Sequence, residues 1–356
     1  MRQLGNRINY DTITLACDVG GTNTSIAAVG RIGNGFEIID QRRYASPKLP
    51  DLFTAIQECL KTLIPDGTQP ETICISGAGP VHEGFCRLSN VAWDIDGTEI
   101  ERKSNIRTLV VNDFTAISYG IPLLDVNDPE QITVLPHPDG TVPVQNGPVR
   151  AVVGAGTGLG VGFLIENAGK FIAFPSEGGH SDFAPADEIG RALREYVREK
   201  TGQNPGTELF VSGRGIANTL AFFQSTGRIA GSAAFMALRP DDPDTPKQIS
   251  DLAATGDGAA KEVMATFVRH YARFASNAAL HFYPGSGLFL AGGIVTKNLR
   301  WFTDDHWFMR NFLENYRENI RSALANFPVY VVRDYAISLY GAAHAAYSLS
   351  AGEKTS

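Results

Sequence analysis

The sequence predicts a fold that mixes buried strands with helices in two or three domains. Three observations carry this. Apolar runs of four to six residues alternate with stretches of helical period. A strand, a glycine turn and a second strand occur near the start, from Ile13 to Val29, and again from Arg150 to Ile165. The length, 356 residues, suits two or three domains at roughly 100–200 residues each.

The elements follow in order. Ile13–Cys17 is a short apolar run that meets Asp18-Val-Gly-Gly-Thr-Asn23, and Ser25–Val29 returns as a second strand. From Leu52 to Leu63, apolar residues fall at helical spacing and stop before Pro65. Thr72–Ser76 and Arg107–Val111 read as buried strands, the first closed by Gly-Ala-Gly-Pro and the second by Asn112-Asp113. A helix is expected from Phe114 to Gly120, stopped at Pro122. Leu124–Pro148, rich in Pro, Asp, Asn and Gly, reads as a domain boundary or irregular connector. After the second hairpin the chain turns helical, over Glu188–Lys200 and Lys261–Leu280. Leu288–Ala291 and Val329–Val332 are further strands, and Ile337–Ser348 is an Ala-rich final helix. The matching positions of Thr22 and Thr157 in the two hairpins suggest an internal duplication.

Composition narrows the function. Hydrophobic residues make up 43% and charged residues 19%, as in ordinary globular domains, so disordered, collagen-like and membrane classes are excluded. The formal charge of −7 gives no electrostatic pull toward nucleic acid or anionic lipid. Cys17, Cys59, Cys74 and Cys86 form no C-x-x-C pair and read as buried, reduced thiols. No signal-like apolar stretch precedes Asp18, and Ala151–Ile165 is too short and glycine-rich to span a membrane, so a cytoplasmic protein is expected.

Glycine is over-represented, at 37 residues. Three glycine turns follow apolar strands: Gly20-Gly21-Thr22, Gly156-Thr157-Gly158 and Gly292-Gly293. Without side chains, backbone N–H groups can converge on an anion, and threonine adds a hydroxyl donor. Any one of these is equally a tight β-turn; the three together, two with Thr, point to nucleotide phosphate. Other nucleotide motifs are excluded. The one Gly-Lys pair, Gly169-Lys170, continues with Phe171, so there is no Walker A loop. The glycine spacing after Gly154 or Gly156 does not fit a dinucleotide fingerprint, and a strand follows rather than a helix.

Asp18 ends a strand beside a glycine turn and could hold Mg²⁺ directly or through water, or could simply cap the turn. Asp113 ends a strand before a helix and could accept a proton, or could be the helix N-cap. Phe174–Pro185 is the densest polar cluster, and its two glycines between Glu177 and His180 favour a loop presenting a carboxylate with an imidazole. Such a pair suits neighbouring sugar hydroxyls better than a metal, since no third His or Cys is near in sequence. Glu208 alone reads as a surface residue.

Taken in order, CDVGGTN, Ser89-Asn90-x-x-Trp93, NDFTAI, GAGTGLG, PSEGGHSDFAP, Glu208-x-x-x-Ser-Gly213 and LAGGI resemble the bacterial-type glucokinase family of the actin-like ATPase superfamily. The resemblance covers nearly the whole chain. It implies an α/β, ribonuclease H-like fold of two domains, 1–122 with 335–356 and 123–334. Each would hold a mixed β-sheet flanked by helices, with the active site in the cleft between them. It implies transfer of the γ-phosphate of ATP to the 6-hydroxyl of glucose, an entry step of glycolysis. By position, Asp113 would be the general base and Asn112 a sugar ligand. Glu177, His180 and Glu208 would bind hydroxyls at the other end of the ring, with Asn90 a further candidate. Asp18, Gly20, Gly21, Thr22, Asn23, Gly156, Thr157, Gly292 and Gly293 would hold ATP, with Asp18 serving Mg²⁺ through water. It also implies a homodimer. Cys17 and Ser176 depart from the family's usual glycines. The zinc-bearing sugar kinases are a poorer match, because no Cys follows His180. A kinase of another hexose and a non-catalytic sugar sensor are the alternatives; the sensor would need a DNA-binding segment that the sequence does not show.

Overall fold

The computed structural model describes residues 9–64, 68–88, 91–334 and 336–353. Ser89 and Asn90 lie outside the described residues. The chain divides into two compact units. One is Met1–Asp125 with Glu166–Pro175 and Asp334–Ser356; the other is Val126–Ile165 with Ser176–Arg333.

The first unit is built on strands β1 (Thr12–Val19), β2 (Asn23–Ile32), β3 (Gly35–Ala45) and β4 (Thr72–Gly77). A small sheet of β5 (Val81–His82), β6 (Phe85–Cys86) and β7 (Ile95–Asp96) precedes β8 (Arg107–Asn112). The main sheet runs β3-β2-β1-β4-β8. β1 is antiparallel to β2 and parallel to β4, which is parallel to β8. Strand alternation sorts side chains by size. Ile13, Leu15, Cys17 and Val19 of β1 join the core beside the helix Leu52–Thr62. Ala16, Ala27 and Cys74 point the other way, toward Leu339, Ala342, Ala343 and Ala346 of the C-terminal helix Ile337–Glu353. Small residues on both surfaces let that helix lie close to the sheet. It also abuts the helix Asp113–Gly120, where a Cβ on Gly341 would fall 1.8 Å from the Ala116 carbonyl oxygen. All four cysteines are free and buried. Burial raises every thiol, to about 12 at Cys74 and about 11 at Cys86, which leaves them protonated and unreactive.

In the second unit, β9 (Ile132–Val134), β10 (Val149–Ala155) and β11 (Leu159–Asn167) come first. β12 (Lys170–Ser176) follows, and its residues through Pro175 cluster with the first unit. β13 (Leu288–Ala291) and β14 (Val329–Val332) complete the order β11-β10-β13-β14-β9. β10 is antiparallel to β11 and parallel to β13, so the arrangement of β1, β2 and β4 recurs. Packed on the sheet is the helix Gly258–Phe282, capped by Asp257, with Val263, Met264, Phe267, Tyr271 and Ala275 in the core. The Tyr271 hydroxyl donates to the Val153 carbonyl at 2.9 Å and pins this helix to β10.

Three local features differ from the sequence expectation. β3 is a strand without an apolar run. β9 lies inside the stretch read as an irregular connector. Gly178–His180 is a single 3₁₀ turn rather than an open loop, because the Glu177 and Gly178 carbonyls accept from the His180 and Ser181 N–H groups.

Candidate active site

In the first unit, the parallel register aligns Asp18 with Ser76 and Gly77 with Asn112. The carboxyl ends of β1, β4 and β8 therefore lie side by side, where open α/β sheets bind ligands. Asp18 is half-buried. Its carboxylate accepts from Ser338 Oγ at 2.7 Å and from Ser76 Oγ at 3.2 Å. Burial pushes its pKa up, and the two hydroxyls and Arg43 only partly offset this. Asp18 thus sits where nearby positive charge would be most welcome.

The turn after Asp18 is held from behind. Gly20 N–H donates to the Asn23 carbonyl at 2.9 Å, and Ser46 N–H to the Thr22 carbonyl at 3.0 Å. Ser46 Oγ donates to the Gly20 carbonyl at 2.6 Å and meets the Thr24 hydroxyl at 2.9 Å. Carbonyls that would repel a phosphate are bound by protein donors instead, while Thr22 stays exposed.

Asn112 and Asp113 stand at the strand–helix junction after β8. Asn112, not Asp113, is the N-cap: its Oδ1 accepts from Phe114 N–H at 2.9 Å and Thr115 N–H at 3.3 Å. Its Nδ2 donates to the Gly79 carbonyl at 3.1 Å. Asp113 is the first helical residue, and its Oδ1 accepts from Phe114 N–H at 2.9 Å.

In the second unit, the Gly156–Gly158 turn and Gly292-Gly293 follow the adjacent parallel strands β10 and β13, paired at Gly154 and Ala291. Gly292 has φ +97°, and a Cβ there would lie 2.5 Å from the Ala155 carbonyl oxygen. The Gly156 carbonyl accepts from Gly213 N–H at 2.9 Å, and its N–H donates to Gly158 O at 2.8 Å.

The segments that carry Glu177, His180 and Glu208 meet at Leu159, the first residue of β11. Leu159 N–H donates to Glu208 Oε2 at 3.1 Å. The Leu159 carbonyl oxygen lies where a Cβ on Gly179 would be, at 1.8 Å. Thr207 N–H donates to the Ser181 carbonyl at 2.8 Å, and Asp182 bridges to Gly206, so the two polar segments run together. Glu177 and His180 are 3.7 Å apart and exposed. Two details revise the reading of the glycines. Gly158 makes room for Glu208 Oε2, 2.7 Å from its missing Cβ, and Gly179 for a carbonyl. Both are required by packing. Asp182 accepts from Asn204 at 2.9 Å and ties the loops together.

Ser46, Ser76 and Ser338 were not singled out from sequence. Ser76 had a signal, a hydroxyl at the end of an otherwise apolar buried strand. Among the described residues there is no group of three or more His, Cys, Asp or Glu side chains placed to hold a metal by themselves.

A family model named Glucokinase matches residues 15–349. The chain belongs to the glucokinase family. A glucokinase of Nostoc punctiforme is 33% identical over 347 residues, covering 93% of this chain and 98% of the relative. The crystal structure of a glucokinase from an Antarctic psychrotroph is 26% identical with a TM-score of 0.77, covering 94% of this chain and 99% of that one. A ROK family glucokinase from Streptomyces griseus, solved with glucose and AMPPNP, shares the fold at 21% identity and a TM-score of 0.61, covering 93% and 98%. The fold is thus that of the actin-like sugar kinases, and the glucokinases bring an ATP-dependent kinase activity.

Proposed function

We propose that Asp113 is the general base in the reaction of this glucokinase, the phosphorylation of glucose by ATP at its 6-hydroxyl. The observation that carries the assignment is the place of Asp113 at the carboxyl end of β8, next to the Asn112 N-cap, at the end of the sheet where ligands bind. Its Oδ1 holds the Phe114 N–H, and a carboxylate placed there can receive a substrate proton. Asn112 and Asp113 serve the reacting end of the sugar; Glu177, His180 and Glu208 serve the other hydroxyls. A hydrogen bond from a hydroxyl to a charged partner is worth about 1.5–3 kcal/mol, so several such contacts select one hexose.

The glycine turns and Thr22 and Thr157 would cradle ATP. Mg²⁺ fits Asp18: it is commonly held by one or two carboxylates plus substrate phosphates, and Asp18 is a half-buried carboxylate whose pKa is pushed up by desolvation that the two serine hydroxyls and Arg43 only partly offset. The ion would neutralise charge on the transferring phosphoryl group. Ser76 and Ser338 fix the carboxylate, and Ser46 fixes the turn beside it. A cytoplasmic homodimer completes the proposal. Four buried free thiols suit a reducing compartment, and no helix among the described residues is long and apolar enough to cross a membrane.

The test is Asp113→Asn, which can keep the Phe114 N–H bond. A coupled assay with glucose should show kcat falling about 10²–10⁴-fold with glucose binding near normal. Near-normal turnover would remove Asp113 from this role. The same assay across a hexose panel separates glucose from mannose or fructose as preferred substrate.

A further inference from the structure

A cavity of about 400 Å³ lies within the second unit. It borders on Gly178, Ser181, Asp182 and Thr207 but on none of Glu177, His180 and Glu208. One wall is the helix Gly258–Phe282, which presents two stripes at a spacing of four: Arg273, Asn277 and His281, beside His270, Phe274, Ala278 and Phe282. Residues at that spacing share a helix face, so a polar strip runs along an aromatic one. Phe282 stacks on Phe163, and Phe183, also in the lining, stacks on Phe210 and meets the His270 ring edge-on with centroids 5.0 Å apart.

One group in this wall lacks a hydrogen-bond partner, and a second has only carbonyls for its charge. His270 is 2% exposed, and neither ring nitrogen has a hydrogen-bond partner among the described residues. Buried polar groups are nearly always paired. Arg273 donates from Nη1 to the carbonyls of Asn311, at 3.0 Å, and Glu314. Its guanidinium is half-buried, and this desolvation lowers its pKa, opposed by Glu314. A carboxylate would be a stronger acceptor for it than carbonyls. Asp182, at the opposite rim, is already engaged by Asn204.

We propose that this cavity binds a small carboxylic acid with an aromatic or branched apolar body, and that its occupancy modulates sugar affinity. The carboxylate would lie along Arg273, Asn277 and His281, the apolar body against Phe183, Phe274 and Phe282. A volume of this size suits a small ligand. The modulation follows because Gly178, Ser181 and Asp182 belong to the same short segment as Glu177 and His180. That part rests on the sugar-site reading; the binding itself does not.

The test uses benzoate and its neutral isostere benzamide on the full-length protein, by calorimetry. Benzoate should bind at least about tenfold tighter, the worth of one charge-assisted bond. Ala278→Leu, which fills the cavity, and His281→Leu, which removes an exposed rim group, should each weaken benzoate about tenfold while glucose turnover without benzoate stays normal. Saturating benzoate should shift the glucose Kd severalfold, and glucose the benzoate Kd by the same factor. Equal binding of the two probes, full benzoate binding in both variants, or a glucose Kd indifferent to benzoate would overturn the proposal. Because benzoate is first titrated without glucose, failure of the cavity is distinguishable from failure of the sugar site.

Discussion

Glu208 carries two roles that substitution can separate. Its Oε2 accepts from Leu159 N–H at 3.1 Å and lies against Gly158, while its assigned function is a sugar hydroxyl. Leu159 is 5% exposed, so deleting the acceptor leaves a buried N–H without a partner, at about 1–3 kcal/mol. Glu208→Gln keeps an acceptor and loses only the charge, roughly 1 kcal/mol, the difference between charged and neutral bonds. For a unit of this size each kcal/mol moves Tm by about 2–4 °C. Glu208→Ala should therefore lower Tm by roughly 3–10 °C, and Glu208→Gln by only a few. Both should raise the glucose KM. Only Glu208→Ala should also raise the KM for ATP, because the Gly156–Gly158 turn loses its support from β11. Differential scanning fluorimetry and initial rates with each substrate varied decide it. If Glu208→Ala melts with the parent protein and leaves the ATP KM unchanged, the carboxylate does not support the turn and the reasoning fails.

Further outcomes follow from the same geometry. Asp18→Asn removes a half-buried carboxylate whose folded pKa lies above the ordinary 3.8. The protonated form is the one the fold favours, so this group stabilises at acid pH and that contribution is lost as pH rises through the raised value. The variant should hold or gain Tm at pH 7, lose activity, and need more Mg²⁺ to reach half-maximal rate; a clear loss of Tm would contradict this. Gly292→Ala combines a φ of +97° with a Cβ 2.5 Å from a backbone oxygen, so it should cost about 2 kcal/mol or more and weaken ATP before glucose in binding titrations. His270 is buried with its pKa lowered to about 4, through desolvation. The unfolded chain binds more protons between about pH 4 and 6.5, so stability should rise with pH across that window, by up to about 3 kcal/mol, and level off above it. His270→Leu should flatten this part of the urea-denaturation pH profile.

The parts of this fold that were legible in the sequence share a physical cause. β1, β4, β10, β13 and β14 are mostly buried, so each is a run of apolar residues that needs no partner in view to be recognised; β8 is half-buried and was legible from Leu109-Val110-Val111 alone. β3 is missed because it has water on its surface: most of its residues are exposed or half-exposed, and a polar strand at a sheet edge has no apolar run. β9 is three residues long and sits among prolines and glycines that signal a connector. The glycine turns were legible as turns, because Gly-Gly and Gly-Thr-Gly interrupt the apolar runs around them.

What the sequence withheld at the candidate site is what arrives from far along the chain. The partners of Asp18 come from 58 and 320 positions away, and the staple of its turn, Ser46, from 26 positions past Gly20. Ser46 and Ser338 have no pattern of their own and read as ordinary polar residues; Ser76 stands out only as a hydroxyl ending a buried strand, and the parallel register of β1 and β4 is what brings it beside Asp18. Glu208 is the same problem in reverse. Its motif marks it as a sugar ligand, yet nothing local reveals that it also holds Leu159, 49 positions earlier. The identity of Gly158 follows from that contact, since any side chain there would displace the carboxylate. The glycine-rich turn is thus shaped as much by the acid behind it as by the phosphate expected in front, and replacing Gly158 should reproduce the defects of Glu208→Ala, in Tm and in both KM values, with the Glu208 side chain itself unchanged.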